Sequence, residues 1–466
     1  MPQRPGNKRP FAWNQDEYWS ALETRFVEAK DILPDSLDRT INRKLSSVNT
    51  LLDSLESGEY APDNPIYSAL ESALFETAPL IGANPDKLED YIGMYTRLRR
   101  LVKEQSIQWN INSVDARTTI YRLLYGGRIA VEEIMLQSPD RFVPGLVAGD
   151  NELSSCPSAT LLGVSIHSGD LLVSRGGAPT SALIARGNDF PGNFSHAALV
   201  HVDEQSGNMS IIESHIEFGV KIASVDDYLK DKKLRVMVLR LRSNLPPLIE
   251  DPILPHEAAQ MALSRARLER TPYDFEMDYT DHSELFCSEV ASAPYEKLGI
   301  HLWMGVSHIS SAGLRSWLAA FGVTHFETQE PSDLEYDPQL RVVAEWRDLE
   351  TLFNDHVDNA VIDVMLEGAE AGDQLKYDSY KLPLARMAKA YSVVLNMMGG
   401  VGPVPEGMSA TAALRSEWFS ARHRAIKAQT LRLADEFRNA KGYRPPYWEL
   451  VKLARRAKRG LYTDET

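Results

Sequence analysis

The sequence predicts an α+β protein: a central domain built on an antiparallel sheet, with a helical region before it and another after it. Three observations predict this. Apolar residues recur three and four positions apart over residues 14–140 and again over 345–466. Between these regions, short β-branched runs alternate with turn residues. The chain of 466 residues is also too long for one ordinary core.

In the first region, Trp19, Leu22, Phe26, Ala29 and Leu33 form one stripe. Leu45, Val48, Leu51, Leu52 and Leu55 form a second, and Tyr91, Met94, Tyr95, Leu98 and Leu101 a third. Pro34-Asp35-Ser36, the run 61–65 and Asn84-Pro85-Asp86 punctuate them. Stripes this regular are read as bundle core, with no chemistry assigned. Glycine, proline, serine and aspartate then cluster over 139–159, a domain edge. In the domain that follows, taken as 150–330, strands are predicted at 170–174, 196–202, 210–214 and 235–241, with a hairpin turn at Gln205-Ser206-Gly207-Asn208. Helices are predicted at 255–268 and 287–298. The last region carries stripes at Leu349, Leu352, Phe353 and Val357, at Leu384, Met387, Ala388, Tyr391, Val394 and Leu395, and along 410–439. The basic segment 452–460 reads as a solvated terminal helix, with lipid or partner contact as the alternative.

Hydrophobic content of 43% and charged content of 25% are those of a globular protein. A net charge of −15 argues against a nucleic-acid binder, which needs a basic face for phosphates. Residues 1–10 are polar and basic without an apolar stretch, so no secretory signal is expected. No apolar run reaches the roughly 18 residues of a spanning helix. The expectation is a protein without a transmembrane segment, cytoplasmic or exported by a route that reads no N-terminal signal. Cys156 and Cys287 are the two cysteines, too few for a disulfide framework or a thiolate zinc site. A single bridge between them is the remaining alternative to two free thiols.

Cys287 lies in Glu284-Leu-Phe-Cys-Ser-Glu-Val-Ala-Ser292, after a polar stretch and before a helical pattern. A place at the first turn of a helix would favour a thiolate and lower the thiol pKa. Free amides there could also hold an oxyanion. His196 opens an apolar strand, Phe194-Ser-His-Ala-Ala-Leu-Val200, where each ring nitrogen needs a partner. Glu213 sits among isoleucines on the next strand, and a carboxylate there is costly to bury unless paired. His215 shares its face, so the group that orients His196 is either Glu213 or His215. His201 falls on the opposite face from His196, and the turn-like setting of Cys156 points to packing.

The ordered motifs Gly169-Asp-Leu-Leu-Val-Ser-Arg-Gly176, Phe194-Ser-His196, Ile212-Glu-Ser214, Tyr273-Asp-Phe275 and Phe286-Cys-Ser-Glu289 resemble the permuted papain-fold cysteine hydrolases of the YaeF/YiiX kind. These are relatives of NlpC-type cell-wall peptidases and of lecithin:retinol acyltransferase. In the permuted group the histidine strand precedes the cysteine helix, as here. The resemblance spans about 163–300 and implies a papain-like central domain with Cys287 as nucleophile, His196 as general base and Glu213 as the orienting residue. Tyr273 and Ser288 are implied as oxyanion or supporting groups. Asp170 and Arg175 are implied as pinning or functional residues of the opening strand, and Glu289 as a brace of the cysteine helix. It implies thiol acyl transfer with no metal or organic cofactor. The substrate expected is an amide, as in a peptide. The alternatives are a lipid acyl ester, handled by a phospholipase-like hydrolase or acyltransferase delivered as an effector, and a non-catalytic scaffold that binds a protein partner through its helical regions. Peripheral membrane contact is drawn from the apolar stretch around Met397, Met398 and Val401 together with the basic C-terminal segment.

Overall fold

The computed structural model describes residues 16–398 and 400–462; the N-terminal segment 1–10 read above lies outside them. The chain opens with α1 (Asp16–Ala29), α2 (Pro34–Ser57), α3 (Pro65–Ala83), α4 (Leu88–Ser106) and α5 (Val114–Gln137). Proline begins α2 and α3, where its missing N–H costs no hydrogen bond. Asn64 and Ser113 cap α3 and α5 by accepting from the amides of Ile66 and Ala116. Trp19, Leu22, Leu45, Val48, Leu52, Leu55, Tyr91, Met94, Tyr95, Leu98 and Leu101 of the three stripes are buried in one core.

The middle of the chain supplies β1 (Leu146–Ala148), β2 (Ser158–Leu161), β3 (Val164–His167), β4 (Leu171–Gly176), α6 (Pro179–Arg186), β5 (His196–Val202), β6 (Met209–His215) and β7 (Gly219–Ser224). There follow α7 (Val225–Lys230), β8 (Lys233–Leu241), α8 (Pro246–Glu250), α9 (Leu254–Leu268), α10 (Glu289–Lys297), β9 (Ser307–His308), α11 (Ala312–Ala319), β10 (Glu327–Thr328) and β11 (Leu340–Trp346). The main sheet is antiparallel throughout, in the order β1-β11-β8-β4-β5-β6-β7. The β5–β6 turn is held by Asp203, whose carboxylate accepts from the amides of Gln205 and Ser206, and Gly207 takes a φ of 68°. One sheet face, with Ala197, Leu199, Ile212 and Met237, shares a core with α9 and α10. The other, with Ala198, Val200, Ile211 and Val238, is covered by β2, β3 and α7.

The sheet reaches beyond residues 150–330. It takes β1 from 146–148 and β11 from 340–346. Strand β11 escaped the sequence reading because Arg341 and Glu345 interrupt its apolar pattern. Both are buried against α4, where Arg99 Nη1 meets Glu345 Oε1 at 2.5 Å and Arg341 Nη2 meets Glu104 Oε1 at 2.5 Å.

The last helices are α12 (Leu349–Glu370), α13 (Leu382–Met397), α14 (Ala410–Lys441) and α15 (Tyr447–Leu461). Three of the five basic residues of α15 are paired, while Arg456 and Arg459 are exposed. Lys452 pairs with Asp16, Arg455 with Glu367 and Lys458 with Asp373, so this segment ties α15 to α1 and to the end of α12. The 384–395 stripe also departs from a core: Leu384, Met387, Tyr391 and Val394 of α13 are exposed.

A buried charge network joins the three regions. Glu132 of α5 takes Arg128 at 2.9 Å, Arg235 of β8 at 2.7 Å and His356 of α12 at 3.0 Å. Arg235 also reaches Asp355 at 2.6 Å, and Arg175 of β4 meets the same carboxylate at 3.2 Å. Asn193, three residues before His196, accepts from Arg128 at 3.1 Å and donates to Asp355 at 3.2 Å. Removing one partner leaves a buried ion uncompensated, so Arg235→Met is expected to cost about 3–5 kcal/mol. Equilibrium urea unfolding of the variant against wild type measures this; a change below about 1 kcal/mol would show that the network does not clamp the domains.

Candidate active site

His196 is the first residue of β5 and Glu213 lies near the end of β6. The register pairs Ala198 with Glu213, which sets His196, Glu213 and His215 on one face by strand alternation. His196 Nε2 is 2.9 Å from Glu213 Oε2, and His215 Nε2 is 3.0 Å from Oε1. Lys221 Nζ approaches the same Oε1 at 3.3 Å. The group in contact with His196 is the Glu213 carboxylate, and His215 stands by the carboxylate's far oxygen.

Glu213 is completely buried. Burial pushes its pKa up, but the imidazoles of His196 and His215 outweigh that and hold it well below the ordinary carboxylate range. An ionised carboxylate only accepts, so His196 Nε2 carries the hydrogen and Nδ1 is left as the basic nitrogen. Burial lowers the His196 pKa below 6.5, against the raising influence of Glu213. The imidazole is therefore neutral near pH 7.

Cys287 precedes Ser288, the N-cap of α10, so it lies in the turn entering the helix rather than in the first helical turn expected. The turn is braced by Glu289, whose carboxylate accepts from the Phe286 amide at 2.9 Å and meets His282 Nδ1 at 3.0 Å. Burial raises the Glu289 pKa to about 7. Ser214 Oγ donates to the Leu285 carbonyl at 2.6 Å, fastening the turn to the strand that carries Glu213.

Cys287 is 5% exposed, and its sulfur lies 4.0 Å from the carbonyl oxygen of Ser195, the residue before His196. Among the described residues, the hydrogen-bond contact of Cys287 Sγ is with this backbone and not with the His196 ring. Ala197, on the other side of the histidine, shares the core that contains Val290 and Ala291 of α10. Strand alternation sets the His196 side chain with the opposite parity. The structure thus brings nucleophile and histidine to the same strand end without joining sulfur to imidazole. Burial pushes the Cys287 thiol up to about 11, against lowering by backbone groups of Ala197 and Ser288. This corrects the expectation of a lowered pKa: loss of water outweighs the helix start.

Tyr273 and Ser288 are both near the sulfur. Burial raises the Tyr273 pKa well above 10, and the charge of a Cys287 thiolate adds to that. The Ser288 hydroxyl is fully buried without an oxygen or nitrogen partner. Glu330 was missed from the sequence. It is buried, its Oε2 lacks a partner, and burial raises its pKa well above the usual range, so it is neutral. Its charge, were it ionised, would act on both Cys287 and Tyr273. Nothing in Thr328-Gln-Glu-Pro331 marks it, because its neighbours arrive from distant parts of the chain. Asp170 and His201, also singled out in the sequence, have partners of their own. Asp170 takes Arg240 in a two-point pair at 2.8 Å, and His201 binds Gln260 at 2.7 Å. Cys156 is buried and free, with its sulfur 3.7 Å from the Pro252 carbonyl; Cys287 is free as well.

The ligand atoms of His196, Glu213 and His215 lie within 4.8 Å of one another and could share a cation. His196 Nε2 bonds Oε2, whereas Oε1 stands 3.0 Å from His215 Nε2 without a hydrogen bond, and the Lys221 ammonium 3.3 Å from Oε1 opposes a divalent ion.

Residues 165–344 match the family model of the permuted papain-like amidase enzymes, YaeF/YiiX, C92 family. At the level of the family, this supports a papain-like amidase or peptidase for the central domain. A solved structure, the metalloprotein yiiX from Escherichia coli O157:H7, is similar at 18% identity over 39% of this chain and 98% of that one, with a TM-score of 0.30. No curated protein matches the chain.

The electrostatics yield a signed expectation. Glu213 raises the His196 pKa, so Glu213→Gln removes that support and moves the His196 titration further below 6.5. NMR titration of the His196 ring measures it, and an upward shift would contradict the arrangement described.

Proposed function

We propose that the protein is a cysteine hydrolase that cleaves an amide bond by acyl transfer through Cys287. The observation that carries the reading is the convergence of a buried thiol and a carboxylate-bound histidine on the N-terminal end of β5. Thiol and imidazole are both neutral at rest, so the chemistry starts with a proton transfer and not from a standing ion pair. The reaction requires Nδ1 of His196 to come within reach of the sulfur in the substrate complex, where catalytic hydrogen bonds often tighten.

Nδ1 of His196 takes the Sγ proton while sulfur bonds to the carbonyl carbon. Amides at the Ser288 turn and the Tyr273 hydroxyl meet the oxyanion. The intermediate collapses, the C–N bond breaks and the amine leaves with the proton from His196. Water gives a proton to the same nitrogen, attacks the thioester and restores the thiol as the carboxylic acid departs. Glu213 stays ionised throughout and keeps the imidazole in the tautomer that exposes Nδ1.

Cys287 alkylation by iodoacetamide tests this, with Cys156→Ala in every sample. With His196 as base, wild type reacts at pH 8 far faster than a thiol of pKa about 11 can, and His196→Ala lowers the rate by roughly a hundredfold. A rate indifferent to His196, rising only towards pH 11, favours a non-catalytic scaffold. Peptide anilides are the first substrates to assay after a positive result.

A further inference from the structure

Glu330 is a buried carboxyl without a counterion. It caps the 3₁₀ turn Pro331–Glu335, and this stretch carries three acids: Glu330, Asp333 and Glu335. Two of them have cations from α5. Arg117 pairs with Asp333, and Arg128 Nε meets Glu335 Oε1 at 2.6 Å. Among the described residues no cation pairs with Glu330, and its Oε2 has no hydrogen-bond partner. A carboxyl taken out of water without a partner is unfavourable. Burial keeps it un-ionised near pH 7, and the neighbouring Asp333 charge adds to that. An acid in this state has an O–H to give, and an apolar site can hold it ready as a donor.

Its place is fixed from two sides. Trp303 Nε1 donates to the Glu330 carbonyl at 2.8 Å, and the Asp333 amide donates to the same oxygen at 2.9 Å. Trp303 makes this contact from a φ of 58°, a left-handed backbone that a bulky side chain rarely adopts. Ser332 Oγ, two residues on, accepts from the Phe194 amide and donates to the Phe194 carbonyl, both at 2.9 Å. Phe194 adjoins Ser195, whose carbonyl lies 4.0 Å from Cys287 Sγ. The turn and the sulfur therefore touch consecutive residues of the segment that enters β5. The charge of an ionised Glu330 would act on Cys287 and on Tyr273. The thiol itself has only backbone groups and the Ser288 hydroxyl to favour a negative charge.

We propose that Glu330 donates a hydrogen bond from its carboxylic acid to the thiolate of Cys287, and so is one of the groups that hold the negative charge of the reaction. The inference rests on Cys287 being the nucleophile. Glu330 keeps its proton in this step, and the proton that leaves sulfur goes to His196. Protonated, Glu330 supports the thiolate; ionised, it opposes it. The test uses the full chain with Cys156→Ala and His196→Ala, so that alkylation by iodoacetamide follows the thiolate of Cys287 alone. Glu330→Gln and Glu330→Met are compared in this background. Both side chains are uncharged and similar in shape, and only glutamine keeps a donor. At pH 9 the glutamine variant should be alkylated at least about tenfold faster than the methionine variant, with the near-ultraviolet circular dichroism of both unchanged. Equal rates in the two variants would overturn the proposal. An infrared difference spectrum at pH 7 between the parent and Glu330→Gln, which needs no methionine variant, should show the carbonyl stretch of a protonated carboxyl. A carboxylate band in its place would overturn the proposal as well. Because His196 is missing from every sample, a failed donor leaves the His196 comparison standing, and a failed base leaves the donor measurable.

Discussion

Glu132 holds the molecule's parts in register. It is a completely buried carboxylate on α5 that faces guanidinium groups from its own helix and from β8, and an imidazole from α12. Each of these ions is expensive to bury alone and tolerable only when all meet. That makes the arrangement of the three regions close to all-or-none. Apolar packing tolerates a slide of an ångström or two, whereas a buried ion that loses its partner does not. The same network grips Asn193, so the loop that launches β5 is positioned by contacts from both helical regions. Ser332 completes the grip by accepting from the Phe194 amide and donating to the Phe194 carbonyl, both at 2.9 Å. The helical regions are thereby part of what aims the strand that carries His196.

Burial also shapes the thiol centre. A helix entrance is commonly associated with a reactive thiolate, but here water is excluded and the dipole is the smaller influence. Glu330, Glu213 and Cys287 illustrate one rule with three outcomes. Glu330 has no cation and stays neutral; Glu213 has two imidazoles and a lysine and stays ionised; Cys287 has only backbone dipoles and a hydroxyl and keeps its proton.

The exposed stripe of α13 and the paired bases of α15 depart from what composition alone implies. A basic terminal segment invites a surface role, yet Lys452, Arg455 and Lys458 are spent on carboxylates of α1, α12 and the turn after it. A regular apolar stripe invites a core role, yet on α13 it meets solvent. Periodicity reports that a helix has two faces. It does not report which face the remainder of the protein covers.

Much was legible before folding. Period-two runs marked β5, β6 and β8 nearly to the residue, and three- and four-residue spacing marked α1, α2, α4, α12, α13 and α14 but not α3 or α5, because both patterns arise from local backbone geometry. The histidine, carboxylate and cysteine motifs fall, in that order, within the stretch that the permuted papain-like amidase family model matches. The sequence by itself also determined that Glu213 and His215 share a face, since alternation needs no tertiary information. Tertiary structure decided the rest. It recruited β11 to the sheet, because Arg341 and Glu345 read as surface until α4 supplies Glu104 and Arg99. It brought Glu330 to the sulfur, kept the thiol protonated, and left the sulfur on the Ser195 carbonyl and not on the imidazole. Desolvation and ion pairing depend on what lies across space from a residue, and that is not written in its neighbours along the chain.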